Sequence, residues 1–146
     1  MSSERECESG QLAVPYFYAV IRVMPRVERG ECINAGVVLF SRPKRFLGMR
    51  VFLDDVKLHA LDPECDAGIV WEYLNAIATV ASGEADAGPI AKLEPSERFH
   101  WIVATSNTII QPSPVHTGLT TDPATTLDHL FRQLVHDACG RMGFRS

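Results

Sequence analysis

The stretch from Arg29 to Phe40, RGECINAGVVLF, limits what this chain can fold into more than any other. Ile33, Ala35, Val37 and Leu39 alternate with Asn34, Gly36, Val38 and Phe40, so both faces of an extended segment are mostly apolar. A strand of that kind needs a covering layer on each face, which places it in the middle of a sheet. Glu31 and Asn34 stand at its entry. Asn34 can satisfy a backbone group at the mouth of a hairpin, and Gly36 leaves room for a helix to come close.

The flanking segments supply the neighbours. Tyr16 to Met24 alternates Phe17, Ala19, Ile21 and Val23 with Tyr16, Tyr18, Val20 and Arg22, an aromatic and β-branched pattern that predicts a strand ended by Pro25. The short polar link PRVERGE makes these two strands antiparallel neighbours. After the basic turn from Ser41 to Arg45, Leu47, Met49, Val51 and Leu53 recur at every second position, predicting a third strand of a meander.

Helices follow. Asp54 caps a short helix through Leu58 and Leu61, and Asp66 to Ser82 carries Ile69, Val70, Tyr73, Leu74, Ile77 and Val80 along one helical face, with Gly83 as its stop. EADAGPIAKLEP reads as a surface connector, and Phe99 to Val103 as helix. Asn107 to Ser113 predicts a fourth strand at an edge, because Pro112 and Pro114 interrupt it; PVHTGLTT then reads as a loop. Asp122 and Pro123 open an amphipathic helix whose stripe, Leu127, Leu130, Phe131, Leu134, Val135 and Ala138, runs to Gly140. His129 and His136 fall on its polar side with Asp128 and Arg132.

Strands followed by helices, rather than strict alternation, predict an α+β domain. It has a three- to four-stranded, mainly antiparallel sheet with helices packed on it, including a long amphipathic C-terminal helix. The domain spans 15–139, between a flexible leader, 1–14, and a flexible tail, 140–146.

A chain of 146 residues can bury a core without disulfide or metal staples. Cys7, Cys32, Cys65 and Cys139 form no CxxC pair, so neither a zinc ribbon nor a redox motif is present, and reduced thiols suit a cytoplasmic protein. The polar, acidic N-terminus is no signal peptide, and no apolar run is long enough to span a bilayer. The net charge of -4 gives no general affinity for nucleic acid. Seven of the 14 basic residues nevertheless fall between positions 22 and 50, giving that segment +5 and the remainder -9. Arg42, Lys44, Arg45 and Arg50 make it the natural contact surface for a protein partner, although arginines at hairpin loops also serve simply to discourage strand addition.

Phosphate-binding loops, nucleophile elbows, HExxH and EF-hand patterns are all missing, and no metal or cofactor is implied. The most concentrated polar cluster is Ser113, His116 and Thr117, with Arg98 upstream. Hydroxyls, an imidazole and a guanidinium can together hold an oxyanion and move a proton, with Arg22, Glu31 and Asn34 contributing from the sheet. Turn hydrogen bonding accounts for the same residues, and Asp122 at the next helix start opposes an anion there. Two functions remain open: an accessory, protein-binding module, or a nucleotide- or phosphate-handling enzyme with its site at the 98/113–118 loop.

YFYAVIRVMP from Tyr16, RGECINAGVVLF, SERFHW and IIQPSPVHTGLTTDP together resemble the domain-of-unknown-function 3037 family of bacterial proteins, from about Tyr16 to His136. The resemblance brings no assigned chemistry and no catalytic residue. It implies a companion role beside HipA-like serine/threonine kinases, next to which members are encoded; that is association and not mechanism.

Overall fold

The structure, a computed structural model, describes residues 12–83, 88–105 and 109–136. The first eleven residues of the expected leader, the whole expected tail, and Asn107 and Thr108 of the expected fourth strand lie outside the described residues. The elements are β1 (Val14–Arg26), β2 (Glu31–Ser41), β3 (Phe46–Val51), α1 (Asp55–Leu61), α2 (Ala67–Ser82), α3 (Pro95–Ala104), β4 (Ile110–Pro112), β5 (His116–Thr120) and α4 (Pro123–Leu134). This is an α+β fold with an antiparallel sheet ordered β3-β2-β1-β4, in which β5 also pairs with β1. None of the described helices is long and apolar enough to cross a membrane.

The helix boundaries follow from local chemistry. Asp54 accepts from the backbone N–H of Val56 and Lys57, and Asp66 from Gly68 and Ile69, so each aspartate satisfies donors that the first helical turn leaves free. Gly83 ends α2 at φ +76°, a left-handed position that costs glycine nothing. Glu97 accepts from the Glu94 backbone N–H at 3.3 Å and fixes the start of α3.

Both faces of β2 are covered, as its apolar pattern requires. On one face Ala19, Ile21 and Val23 meet Val38, Phe40, Leu58, Leu74, Phe99 and Ile102, which brings α1, α2 and α3 into one buried layer. On the other, Val37 and Leu39 pack with Leu127 of α4 and with Tyr16 and Tyr18. The simple alternation expected along β2 is corrected by a bulge: Ile21 pairs with Gly36 but Arg22 with Asn34, leaving Ala35 as the extra residue. Ile33 and Ala35 therefore face the three-helix side together with Val38 and Phe40. Gly36 does serve a close approach, but of a strand and not a helix. A Cβ there would lie 2.9 Å from the Arg50 carbonyl oxygen of β3.

Two expectations about the C-terminal third change. PVHTGLTT is not all loop: His116–Thr120 is a fifth strand, so the sheet exceeds the expected three to four. Because β1 is 13 residues long, it carries β4 opposite Ile21–Val23 and β5 opposite Val14–Tyr18 along the same edge. The final helix is also shorter than its stripe suggested, with 12 residues ending at Leu134. The N–H groups of Val135 and His136 both donate to the Phe131 carbonyl, which closes the helix. His136 does not stand on a solvated helical face; its ring stacks on Phe52 with centroids 3.9 Å apart. Ala138 and Gly140 lie outside the described residues.

Candidate functional site

Each polar residue singled out in the sequence has an identifiable partner or place. Ser113 bridges the interruption between β4 and β5, where Pro114 has no N–H to offer: its hydroxyl accepts from Val20 N–H at 2.9 Å and donates to the Pro114 carbonyl. Thr117 donates to the Tyr16 carbonyl at 3.0 Å, and His116, directly opposite Tyr18, holds its ring 5.2 Å from the tyrosine ring. Arg22 donates to the carbonyls of Gln111 and Pro112 and so fastens β4 to β1. Asn34 donates to the Leu134 carbonyl at 2.9 Å and ties the end of α4 to β2. Glu31 pairs with Arg29 in the open, at 3.0 Å, an arrangement worth little to stability.

Arg98 has the most specific of these roles. Its guanidinium donates to the Val80 and Ala81 carbonyls at 3.0 and 2.7 Å and to the Leu93 carbonyl at 3.0 Å, capping the C-terminus of α2 from α3. It lies with the three-helix layer, whereas His116 stacks on Tyr18 on the α4 side. The expected convergence of Arg98 with Ser113, His116 and Thr117 therefore does not occur. Arg98→Met, which keeps the apolar stem and removes the donors, is expected to cost about 1–3 kcal/mol, because the carbonyls it leaves belong to the buried Val80 and Ala81. Urea unfolding checks this; a change within error would show that the cap contributes nothing.

A carboxylate, that of Asp122, stands at the start of α4 and opposes an anion there. Asp122 accepts from the Thr125 hydroxyl at 2.6 Å, and that bond, with help from the charge of Lys44, holds its carboxyl below the ordinary aspartate range.

The basic segment divides between the two sides of the sheet. Arg50 pairs with Asp128 and lies over the Phe131 ring, 4.5 Å from its centroid, on the α4 side. Arg42, Lys44 and Arg45 occupy the exposed turn between β2 and β3, where Arg45 pairs with Glu94 at 3.3 Å. Arg50 thus lies apart from Arg42 and Arg45, which share a depression with Phe40 and Glu94.

Beside that turn lies a groove of about 400 Å³ that none of the polar signals indicated. Phe17 pairs with Phe40 across β1 and β2, and Phe40 stacks on Phe99 of α3 with centroids 5.5 Å apart. Phe99 and Val103, four residues apart and so on one face of α3, form the helical wall, and Val115 closes the far end. Phe17 and Val115 are 38% and 45% exposed, which marks the groove as open to solvent. Arg42 and His100 form its rim. The Arg42 guanidinium carbon is 5.8 Å from the Phe40 ring centroid. His100 Nδ1 donates to the Ser96 carbonyl at 2.8 Å, since a carbonyl only accepts, and Nε2 is left without that partner. A second cleft, of about 250 Å³, contains Asn34 and Asp54, whose polar groups are already used at the end of α4 and the start of α1. Alternation and helical spacing assign Phe17, Phe40, Phe99 and Val103 to a core; Phe40 and Phe99 are each only 4% exposed, and the three-dimensional arrangement alone reveals that the packing stops short of covering Phe17.

Neither a curated protein nor a solved structure matches this sequence. A family described as "Protein of unknown function (DUF3037)" matches residues 18–135, which takes in the described strands and helices from Tyr18 of β1 onward and all the groove except Phe17. The chain belongs to that family.

Proposed function

We propose that this protein is a cytoplasmic accessory module that binds a partner protein on the face where the aromatic groove meets the basic turn, and that the partner is the HipA-like kinase implied by the family resemblance. The observation that carries the reading is the adjacency of the apolar groove, open at Phe17 and Val115, to Arg42 at its edge and Arg45 in the adjoining depression, an apolar centre with a charged rim. Arg45 adds support. It holds φ +49°, a left-handed position where glycine is unstrained, so a guanidinium is kept in that turn at a backbone cost. A phosphate-handling enzyme is the weaker reading, because two of its proposed groups, Arg98 and His116, lie on opposite sides of the sheet.

The test is capture of the neighbouring kinase by the full chain at physiological salt. Reversing both charges, with Lys44→Glu and Arg45→Glu, is expected to weaken capture about tenfold while the circular dichroism spectrum stays unchanged, since both side chains are exposed in the turn that carries Arg42. Failure to co-purify with both partners folded would sink the reading.

A further inference from the structure

Arg42 differs from every other described arginine. Arg26, Arg29, Arg45, Arg50 and Arg132 are paired with carboxylates, and Arg22 and Arg98 donate to carbonyls. Arg42 has the Phe40 ring and, among the described residues, no anionic or carbonyl partner. A guanidinium held at the edge of an aromatic groove, with its donors free, matches a ligand that is apolar at one end and carries a carboxylate at the other.

Resting on the binding-module reading, we infer that the groove takes a bulky apolar side chain of the partner protein, and that an acidic residue adjacent to it in the partner sequence meets Arg42. Phe17, Phe99 and Val103 receive the apolar group; Phe40 lies beneath both it and the guanidinium. The openness of the groove favours a polypeptide segment over a free small molecule. Phe17 and Val115 are too exposed for a small ligand to be enclosed, whereas a chain covers them with its own backbone and flanking residues. Charge decides the neighbour: Arg42 has no carboxylate partner among the described residues, whereas the one acid lining the adjoining depression, Glu94, is already paired with Arg45.

The test uses capped peptides in a Gly–Ser background with a single Phe–Glu, Phe–Gln or Ser–Glu pair, titrated to millimolar concentration into the isotope-labelled full chain and followed by amide shifts. The Phe–Glu peptide is expected to move the resonances of Phe17, Phe40, Arg42 and Val103. Binding of Phe–Gln is expected to be roughly fivefold weaker, the worth of one good exposed ion pair, and that of Ser–Glu to be undetectable. Arg42→Gln is expected to make Phe–Glu and Phe–Gln equal without loss of fold. Equal binding of those two peptides to the unmodified chain overturns the inference, as do shifts that map elsewhere, silence with all three, or binding of decanoate in the groove without any peptide. Kinase capture that survives Arg42→Gln leaves the module reading standing and removes this chemistry; peptide selectivity without kinase capture sinks the kinase-partner reading and leaves this chemistry standing.

Discussion

Phe131→Ala is expected to lower the unfolding free energy by about 3 kcal/mol, at the low end for a buried aromatic. The ring is 5% exposed and belongs to the buried stripe of α4 with Pro123 and Leu127. One of its sides is covered by the Arg50 guanidinium and not by close-packed core, and that side chain can follow the shrinking surface, so part of the cavity collapses. His129→Ala, at an exposed position of the same helix, is expected to change stability by no more than about 0.5 kcal/mol. Urea denaturation of both variants separates the cases. Equal small effects would mean that α4 does not dock on the sheet; a large loss at His129 would mean that its side chain is buried in an interface.

Gly36→Val is expected to cost about 3 kcal/mol, the upper part of the usual range for overpacking. The added Cβ alone would stand 2.9 Å from the Arg50 carbonyl oxygen and 3.0 Å from Val51 Cγ1, and the two further methyls have no empty volume to enter. Backbone cannot rotate out of the way as a side-chain end can, so the β2–β3 pairing must open or the bulge must move. Gly36→Ala should cost less than Gly36→Val because it adds only the Cβ. Thermal unfolding of the two variants gives the order. A valine variant as stable as the parent would show that the bulge slides at little cost and that the face assignment of Ile33 and Ala35 is not unique.

The candidate site was only partly legible before the fold. Arg98, Ser113 and Asn34 stand out in a sequence as polar groups beside apolar segments, the same signature whether a side chain awaits a ligand or satisfies a backbone group. Their hydrogen bonds decide for the second: Val80, Ala81, Val20 and Leu134 supply the partners, each on an element other than that of the residue it meets, and Val20 and Leu134 stand 93 and 100 residues away from theirs. The groove had the opposite problem. Its aromatic residues carry the ordinary pattern of a core, and what distinguishes Phe17 from Ile21 on the same face of β1 is burial: Ile21 is fully covered and Phe17 is 38% exposed.

What the sequence determined by itself was the local part. Alternating apolar residues made β1, β2 and β3, aspartates at Asp54 and Asp66 started two helices, Gly83 stopped one of them, and two apolar faces on β2 demanded two covering layers. These follow from interactions within a few residues, or from burial that any partner can supply. Only the tertiary structure made β5 a strand, because five residues with little apolar content take their extended form from the unused edge of a long β1. Only the tertiary structure ended α4 at Leu134, where the Asn34 side chain meets the last helical carbonyl and His136 finds Phe52. The pairing of Gly36 with both of its neighbouring strands, the division of the basic segment between two faces and the exposure of the groove all depend on contacts between residues distant in the chain. Spacing along the sequence carries no record of those contacts.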